Sequence, residues 1–197
     1  MLNHTPSFDS TAASRLAREL YGVDANAVAL PSERDQNFLL IPASGEGMVL
    51  KIANALESAA MIAAQQRALQ HLATRLMLTP IVVVTTSGET VTETTAADGR
   101  PHQLWAITHL PGVPLGTVRR RTPALLHHLG ASIGALTLAL RDFDDPALHR
   151  DFCWDLANGR RVIDAYRLQV EDAGTRAAIA ALVGRTADRL DPLLSSL

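Results

Sequence analysis

The first 110 residues carry apolar side chains at helical spacing in two segments and at strand-like spacing in several others. Residues 10–21 predict an amphipathic helix, which Ser10 or Thr11 can cap and Gly22 can end. A longer helix is predicted over residues 55–77. Short apolar runs bounded by turn formers predict strands at 26–30, 38–41, 48–53, 79–86 and 103–110, and a short strand could form at 91–95. The 79–86 run is β-branched, which indicates a buried strand.

The pattern becomes helical after residue 110. Thr122 can cap a helix that has Pro123 at its first position and runs to about residue 141. Two more helices are predicted at 155–170 and 175–190, and the second should be strained or should end near Asp191-Pro192. These elements predict an α+β protein with a mixed part over residues 1–110 and a helical part over residues 111–197.

Composition narrows the class of protein. The chain has 197 residues, 47% of them hydrophobic, which is enough for a packed core, and its net charge of −2 gives no reason to expect a nucleic-acid partner. The single cysteine, Cys153, excludes an internal disulfide and suits a reducing compartment. The N-terminal residues lack a signal-peptide pattern, and no uninterrupted apolar run of about 18 residues is present. We therefore expect a cytoplasmic protein without a membrane partner.

Lys51 is the most informative residue of the mixed part. It lies in the apolar segment MVLKIA, over residues 48–53. A lysine is rarely buried without a charged partner, so this one requires an anion, either a carboxylate or a phosphate. The alternative is an edge strand whose lysine extends to water.

The order of elements and four short motifs resemble one family of enzymes. The motifs are SERDQNFLL, MVLKIAN, HLPGVPL and DFCWDLANGRRVI, and the matches as a whole are spread from about residue 28 to residue 165. The chain resembles the aminoglycoside phosphotransferase and choline kinase family, and is most similar to its hydroxylysine kinase-like branch. The resemblance implies a protein-kinase-like N-lobe, built from an antiparallel sheet and helices, followed by a partial helical C-lobe.

The same resemblance implies a site for ATP and an activity. Lys51 would hold the α- and β-phosphates, and the loop from Ser32 to Asn37 would cover them through its backbone amides and these two side chains. Thr108 would offer a backbone carbonyl to adenine, and Leu110 a backbone amide. The γ-phosphate would pass to the hydroxyl of a small amine-bearing metabolite, for which hydroxylysine is favoured over choline, ethanolamine or an aminoglycoside. The alternative for the loop is an ordinary polar turn.

The carboxylate that should pair with the lysine is in doubt. In the kinase arrangement it lies on the helix that follows the lysine strand. Glu57 comes too early for this role, and Gln65 and Gln66 stand where the partner is expected. A glutamine can accept a hydrogen bond from the ammonium but cannot neutralise it, so the sequence leaves all three residues open as partners.

The catalytic loop of the family has no convincing counterpart. His149-Arg150-Asp151 resembles it, but Leu156 stands where the metal-binding asparagine should be, and Asn158 comes two residues late. The segment is interpreted as structural, with Asp151 or Asp155 capping a helix.

No catalytic or metal-binding residue is therefore assigned, and the ligands of Mg²⁺ are expected in a segment that this chain lacks. The expectation is a chain truncated before its catalytic loop and inactive alone. The alternative is a non-catalytic kinase-like binding module, or a fragment of a larger multidomain protein.

Overall fold

The computed structural model describes residues 4–194. The chain divides into two compact units, Met1–Leu148 and His149–Leu197. The compositional change near residue 110 lies inside the first unit, and its interpretation as a boundary between two lobes stays a prediction.

The first unit is an antiparallel sheet with helices, which confirms the α+β class. Its elements are α1 Ser10–Tyr21, β1 Ala25–Leu30, β2 Gln36–Pro42, β3 Met48–Ile52, α2 Ala59–Ala73, β4 Val82–Val83, β5 Thr92–Thr95, β6 Pro101–Thr108 and α3 Pro123–Leu140. The strands follow the order β1-β2-β3-β6-β4, and β5 pairs with the other part of β6. Strand β3 therefore lies in the middle of the sheet.

One face of the sheet is closed by α1. Alternate residues of β2, β3 and β6 point to this face and are buried: Phe38, Leu40, Leu50, Ile52 and Leu104. Helix α1 meets them with Ala13, Leu16 and Ala17, which are buried as well. Burial of apolar area at about 25 cal/mol per Å² makes this contact the main stabilising layer of the unit.

The start of α1 differs from the prediction. Asp9 is its N-cap, and the Asp9 carboxylate accepts a hydrogen bond of 2.7 Å from the Ala12 amide. Ser10 and Thr11 lie inside the first turn, so neither is the cap. The end is confirmed, because Gly22 adopts a left-handed conformation with φ of 66° that closes the helix.

Two elements are shorter than the pattern predicted. Helix α2 begins after Ser58, whose hydroxyl accepts a hydrogen bond from the Met61 amide, and the helix ends at Ala73. The 79–86 run forms only β4, because Pro80 has no amide to donate and Thr85 turns back to the carbonyl of Glu89. Val84 is exposed, so the prediction of a long buried strand is wrong.

Helix α3 confirms its predicted limits, since Thr122 caps it and Pro123 takes its first position. Its 18 residues include no Asp, Glu, Lys or Arg, and Ala139 is the one that is buried. By length and composition alone, α3 is long and apolar enough to cross a membrane. A helix that packs in a soluble core can have the same composition, so the absence of a membrane partner stays a prediction.

The second unit consists of α4 Gly159–Tyr166, α5 Ala173–Leu194 and two 3₁₀ turns, Leu156–Asn158 and Arg167–Gln169. The helix predicted over 155–170 is therefore α4 flanked by these turns. Helix α5 continues through Asp191-Pro192 to Leu194, so it does not end at residue 190, and the expected strain near this pair stays a prediction. A proline removes one helical hydrogen bond, and here it lies within the final turn, where little of the helix follows it.

Candidate functional site

Lys51 lies on the face of the sheet opposite α1. Asn37 and Trp105 stand beside it in register, on β2 and β6. The Lys51 Nζ atom donates a hydrogen bond of 3.1 Å to Asn37 Oδ1 and lies 5.4 Å from the centroid of the Trp105 ring. The edge-strand alternative is wrong, because β3 is paired on both sides and Lys51 is half-buried.

Two opposing effects act on the Lys51 ammonium. Burial disfavours the charged form and lowers the pKa of Lys51 below its usual value, while the negative charge of Asp35 offsets part of this effect. The net pKa shift is downward. The fold thus holds a cation where its charge is poorly solvated.

None of the three sequence candidates pairs with Lys51 among the residues that the structure describes. Glu57 lies 3.5 Å from the guanidinium of Arg34. Gln66 donates its amide to the Thr90 carbonyl at 3.0 Å, and Gln65 also makes no hydrogen bond to the lysine. The hydrogen-bond partner is Asn37, and the carboxylate that acts on Lys51 is Asp35.

The predicted phosphate-covering loop meets Lys51 through a chain of hydrogen bonds. Asn37 Nδ2 donates to Ser32 Oγ at 2.7 Å, and Ser32 Oγ donates to the Leu30 carbonyl at 3.2 Å. The structure therefore brings together Ser32, Asn37 and Lys51, three of the five residues assigned from the sequence.

The other two assigned residues line a separate cavity of about 350 Å³. Its lining includes Gly47, Thr79, Ile81, Thr108, His109 and Leu110. Here the Ile81 amide donates to the Thr108 hydroxyl at 2.9 Å. Because the side chain takes this bond, the Thr108 carbonyl is not the acceptor of the Ile81 amide.

An apolar row connects the two groups of residues. Leu39, Val49, Ile107 and Val82 oppose one another across four strands, and all are half-buried. Val49 is two residues from Lys51, so the row shares the face of the lysine. Thr108 opposes Met48, which is buried in the core beneath α1, so the Thr108 side chain belongs to the other face of the sheet. Its backbone lies at the end of the row, about 10 Å from Lys51 at the usual rise of a strand.

The residues resembling a catalytic loop make structural contacts in the second unit. Asp151 pairs with Arg161, and Asp164 lies 3.3 Å from Arg167. Asp155 accepts a hydrogen bond of 2.9 Å from the Ala157 amide and caps a 3₁₀ turn, which confirms the capping prediction for this residue. Within residues 4–194, no three His, Cys, Asp or Glu side chains are grouped so that they could hold a metal ion.

The sequence-based assignment missed Asp35, Asn54 and Trp105. Asn54 follows the lysine strand and is buried, and it bonds the loop that contains Asp35. One signal for the site was present in the sequence, because Lys51 is the only lysine among 18 lysine and arginine residues. A chain that otherwise uses arginine has a compact ammonium at this position alone, and the two cations are not interchangeable.

An antiparallel sheet with a lysine on a central strand, a covering loop and a helix after that strand defines a protein-kinase-like fold. The chain belongs to the phosphotransferase enzyme family, whose model matches residues 26–196. The family resemblance inferred from the motifs is thereby confirmed.

Individual proteins agree with this assignment. A hydroxylysine kinase of Danio rerio is 27% identical in an alignment 163 residues long, which covers 78% of this chain and 46% of that protein. The structure of an aminopropanol kinase associated with a microcompartment has a TM-score of 0.58 and 21% identity, over 76% of this chain and 46% of its own. The structure of an amicoumacin kinase in complex with AMP-PNP, Ca²⁺ and Ami has a TM-score of 0.64 and 18% identity. The match covers 96% of this chain and 55% of that kinase's chain. These two structures support the fold, and the chain spans about half the length of the relatives it matches.

Proposed function

We propose that the chain binds ATP on the face of its sheet that carries Lys51, as part of an ATP-dependent phosphotransferase that acts on a small amine-bearing alcohol. The observation that carries the proposal is the half-buried Lys51 ammonium, whose hydrogen-bond partner is the neutral amide of Asn37. A poorly solvated cation with a neutral partner is stabilised by an anion, and the phosphates of a nucleotide supply one.

The surroundings of Lys51 suit the other parts of a nucleotide. The apolar row that includes Val49 and Ile107 offers a flat contact area to a base. The Thr108 carbonyl and the Leu110 amide belong to the cavity at the end of this row and would bind the edge of adenine. The loop from Ser32 to Asn37 would cover the phosphates. When bound, Mg²⁺ would neutralise charge on the β- and γ-phosphates.

The proposed acceptor follows from the names of the relatives. One is a hydroxylysine kinase and another an aminopropanol kinase, and both names describe molecules that carry an amine and a hydroxyl. We therefore favour a hydroxylysine-like amino alcohol over choline, ethanolamine or an aminoglycoside. A screen of these compounds with ATP, with ADP release as the readout, would rank them.

Titration with ATP tests the binding proposal. Trp105 contacts Lys51, so its fluorescence in a Trp154→Phe background reports on the site. Replacing the ammonium removes a charge-assisted contact worth about 1.5–3 kcal/mol, so Lys51→Met should weaken ATP binding by about 10- to 150-fold.

Arg18→Met is the matched control, because Arg18 is exposed on α1 and pairs with Asp24. It should leave the dissociation constant unchanged. An ATP affinity that is equal in Lys51→Met and the parent chain would refute the assignment of Lys51 to phosphate.

A non-catalytic nucleotide-binding module is the second candidate. It is favoured by the ion pairs of Asp151 and Asp164, since both carboxylates that could resemble catalytic ones are engaged by arginines. On this view the chain binds ATP and transfers no phosphate. Detection of phosphotransfer that is lost in Asp151→Ala would overturn it, whereas binding without transfer would support it.

A further inference from the structure

The carboxamide of Asn37 links Lys51 to the start of the covering loop, residues 32–37. Its Oδ1 atom accepts a hydrogen bond of 3.1 Å from Lys51 Nζ. Its Nδ2 atom donates to Ser32 Oγ at 2.7 Å, and that hydroxyl donates in turn to the Leu30 carbonyl at 3.2 Å. Three hydrogen bonds therefore run in one direction, from the ammonium to the backbone of β1.

These hydrogen bonds determine which end of the carboxamide faces the lysine. An ammonium can only donate, whereas a carboxamide has an acceptor oxygen and a donor nitrogen. The oxygen of Asn37 must therefore face Lys51, and the nitrogen faces Ser32. Because the Ser32 hydroxyl gives its one hydrogen to the Leu30 carbonyl, its oxygen is left to accept from Asn37. The orientation of Asn37 thus depends on Ser32.

Strand pairing gives this arrangement a fixed base. Asn37 is opposite Leu30 on one side and opposite Lys51 on the other, so its backbone is fixed by two neighbouring strands. Side chains directly opposed in an antiparallel pair lie on the same face of the sheet and within reach of each other. Trp105 is opposite Lys51 on β6, and its ring centroid lies 5.4 Å from the ammonium. The lysine side chain is thus held between Asn37 and Trp105.

We propose that Asn37, oriented by Ser32, is the positioning residue of Lys51, and that neither of these two side chains is a phosphate ligand. This inference rests on the proposed function, because it assigns roles within the ATP site. Lys51 donates one of its three hydrogens to Asn37, which leaves two for an anion. The neutral carboxamide holds the ammonium without cancelling its charge. The covering loop then contacts the phosphates through its backbone amides.

The single lysine of the chain makes the Asn37 contact measurable. Lysine labelled with ¹³C at Cε gives one signal, and its pH titration measures the pKa of Lys51. Asn37→Asp puts a carboxylate in the place of the carboxamide, so the pKa of Lys51 should rise by about 1 unit or more. Asn26→Asp adds the same charge on the exposed part of β1, about 16 Å from Lys51, and should leave this pKa unchanged. Equal pKa values of Lys51 in Asn37→Asp and the parent chain would overturn the contact.

ATP titration in two backgrounds separates a positioning residue from a phosphate ligand. In the parent chain, Asn37→Ala should weaken ATP binding by about 3- to 10-fold, because Lys51 loses its hydrogen-bond partner. In a Lys51→Met background, Asn37→Ala should change the affinity by less than about twofold, since it then has no ammonium to position. An equal loss in both backgrounds would show that Asn37 contacts the phosphates directly, and would overturn the proposal.

The role of Ser32 is tested by a conservative variant. Ser32→Ala should weaken ATP binding in the parent chain, whereas Ser32→Thr keeps the hydroxyl and should bind ATP as the parent does. Ser32→Ala should have no further effect once Asn37 is alanine, and an additive loss would overturn the orienting role. Normal ATP binding by Lys51→Met would refute the proposed function, whereas a raised pKa of Lys51 in Asn37→Asp would still establish the contact. The two hypotheses therefore fail by different results.

Discussion

Replacing Asn54 with alanine should destabilise the first unit and release the covering loop. Two side-chain hydrogen bonds are lost, one to the Arg34 carbonyl at 3.2 Å and one from the Leu56 amide at 3.0 Å. Leaving a buried polar group without its partner costs about 1–3 kcal/mol. Because both partners lie in a partly buried segment, we expect a total loss of about 2–4 kcal/mol in the free energy of unfolding.

Urea unfolding followed by Trp105 fluorescence measures this loss. The Trp154→Phe background removes the other tryptophan, which lies in the second unit and is exposed. With an m-value of about 2–3 kcal/mol per M, the midpoint should fall by about 0.7–2 M. Asn26→Ala is the control, because Asn26 is exposed on β1 and should change stability little. Equal midpoints for Asn54→Ala and Asn26→Ala would refute the role of Asn54 in holding the loop.

Two further predictions concern a helix end and the pH dependence of stability. Asp9→Ala should lower the free energy of unfolding by about 1 kcal/mol because it removes the N-cap of α1, whereas Ser10→Ala should change it little. The urea midpoints of the two variants test whether Asp9, as in the structure, or Ser10, as expected from the sequence, is the cap. Burial lowers the pKa of Lys51 in the folded chain, so the unfolded chain holds this proton more tightly and stability should rise with pH below the usual pKa of 10.5. Lys51→Met should lack this rise. The free energy of unfolding of the parent chain should therefore increase relative to that of the variant between pH 7 and pH 10. A difference between the two free energies that does not change with pH would show that the ammonium is well solvated.

The sequence predicted most strands and helices because their signals are local. Short apolar runs bounded by turn formers located β2 and β3 to within two residues, and the Thr122-Pro123 pair located the start of α3. The 79–86 run misled because β-branched residues fit a strand only where a neighbouring strand pairs with them. Pro80 and the turn at Thr85 leave β6 with only Val82 and Val83 to pair. Such pairing is tertiary information that the run itself does not contain.

In the candidate site, too, the local chemistry could be predicted from the sequence, whereas the contacts that depend on strand pairing could not. The need of Lys51 for an anion can be predicted from its strand, because the only lysine of the chain lies there in an apolar run. Its hydrogen-bond partner could not be predicted from the spacing of residues along the following helix. That spacing indicated Glu57, Gln65 or Gln66. The partner is decided by register, since Leu40 opposes Met48 and Asn37 opposes Lys51.

A turn shifted by one residue would reverse the faces of β2 relative to β3. Phe38 would then leave the α1 core, and Asn37 would turn away from the lysine. The conformation of the 43–47 turn, with Gly45 at φ of 92°, therefore determines the core and the electrostatics of the site together. A substitution that moves this register should lose both at once, since the same alternation that buries Phe38 beneath α1 presents Asn37 to Lys51.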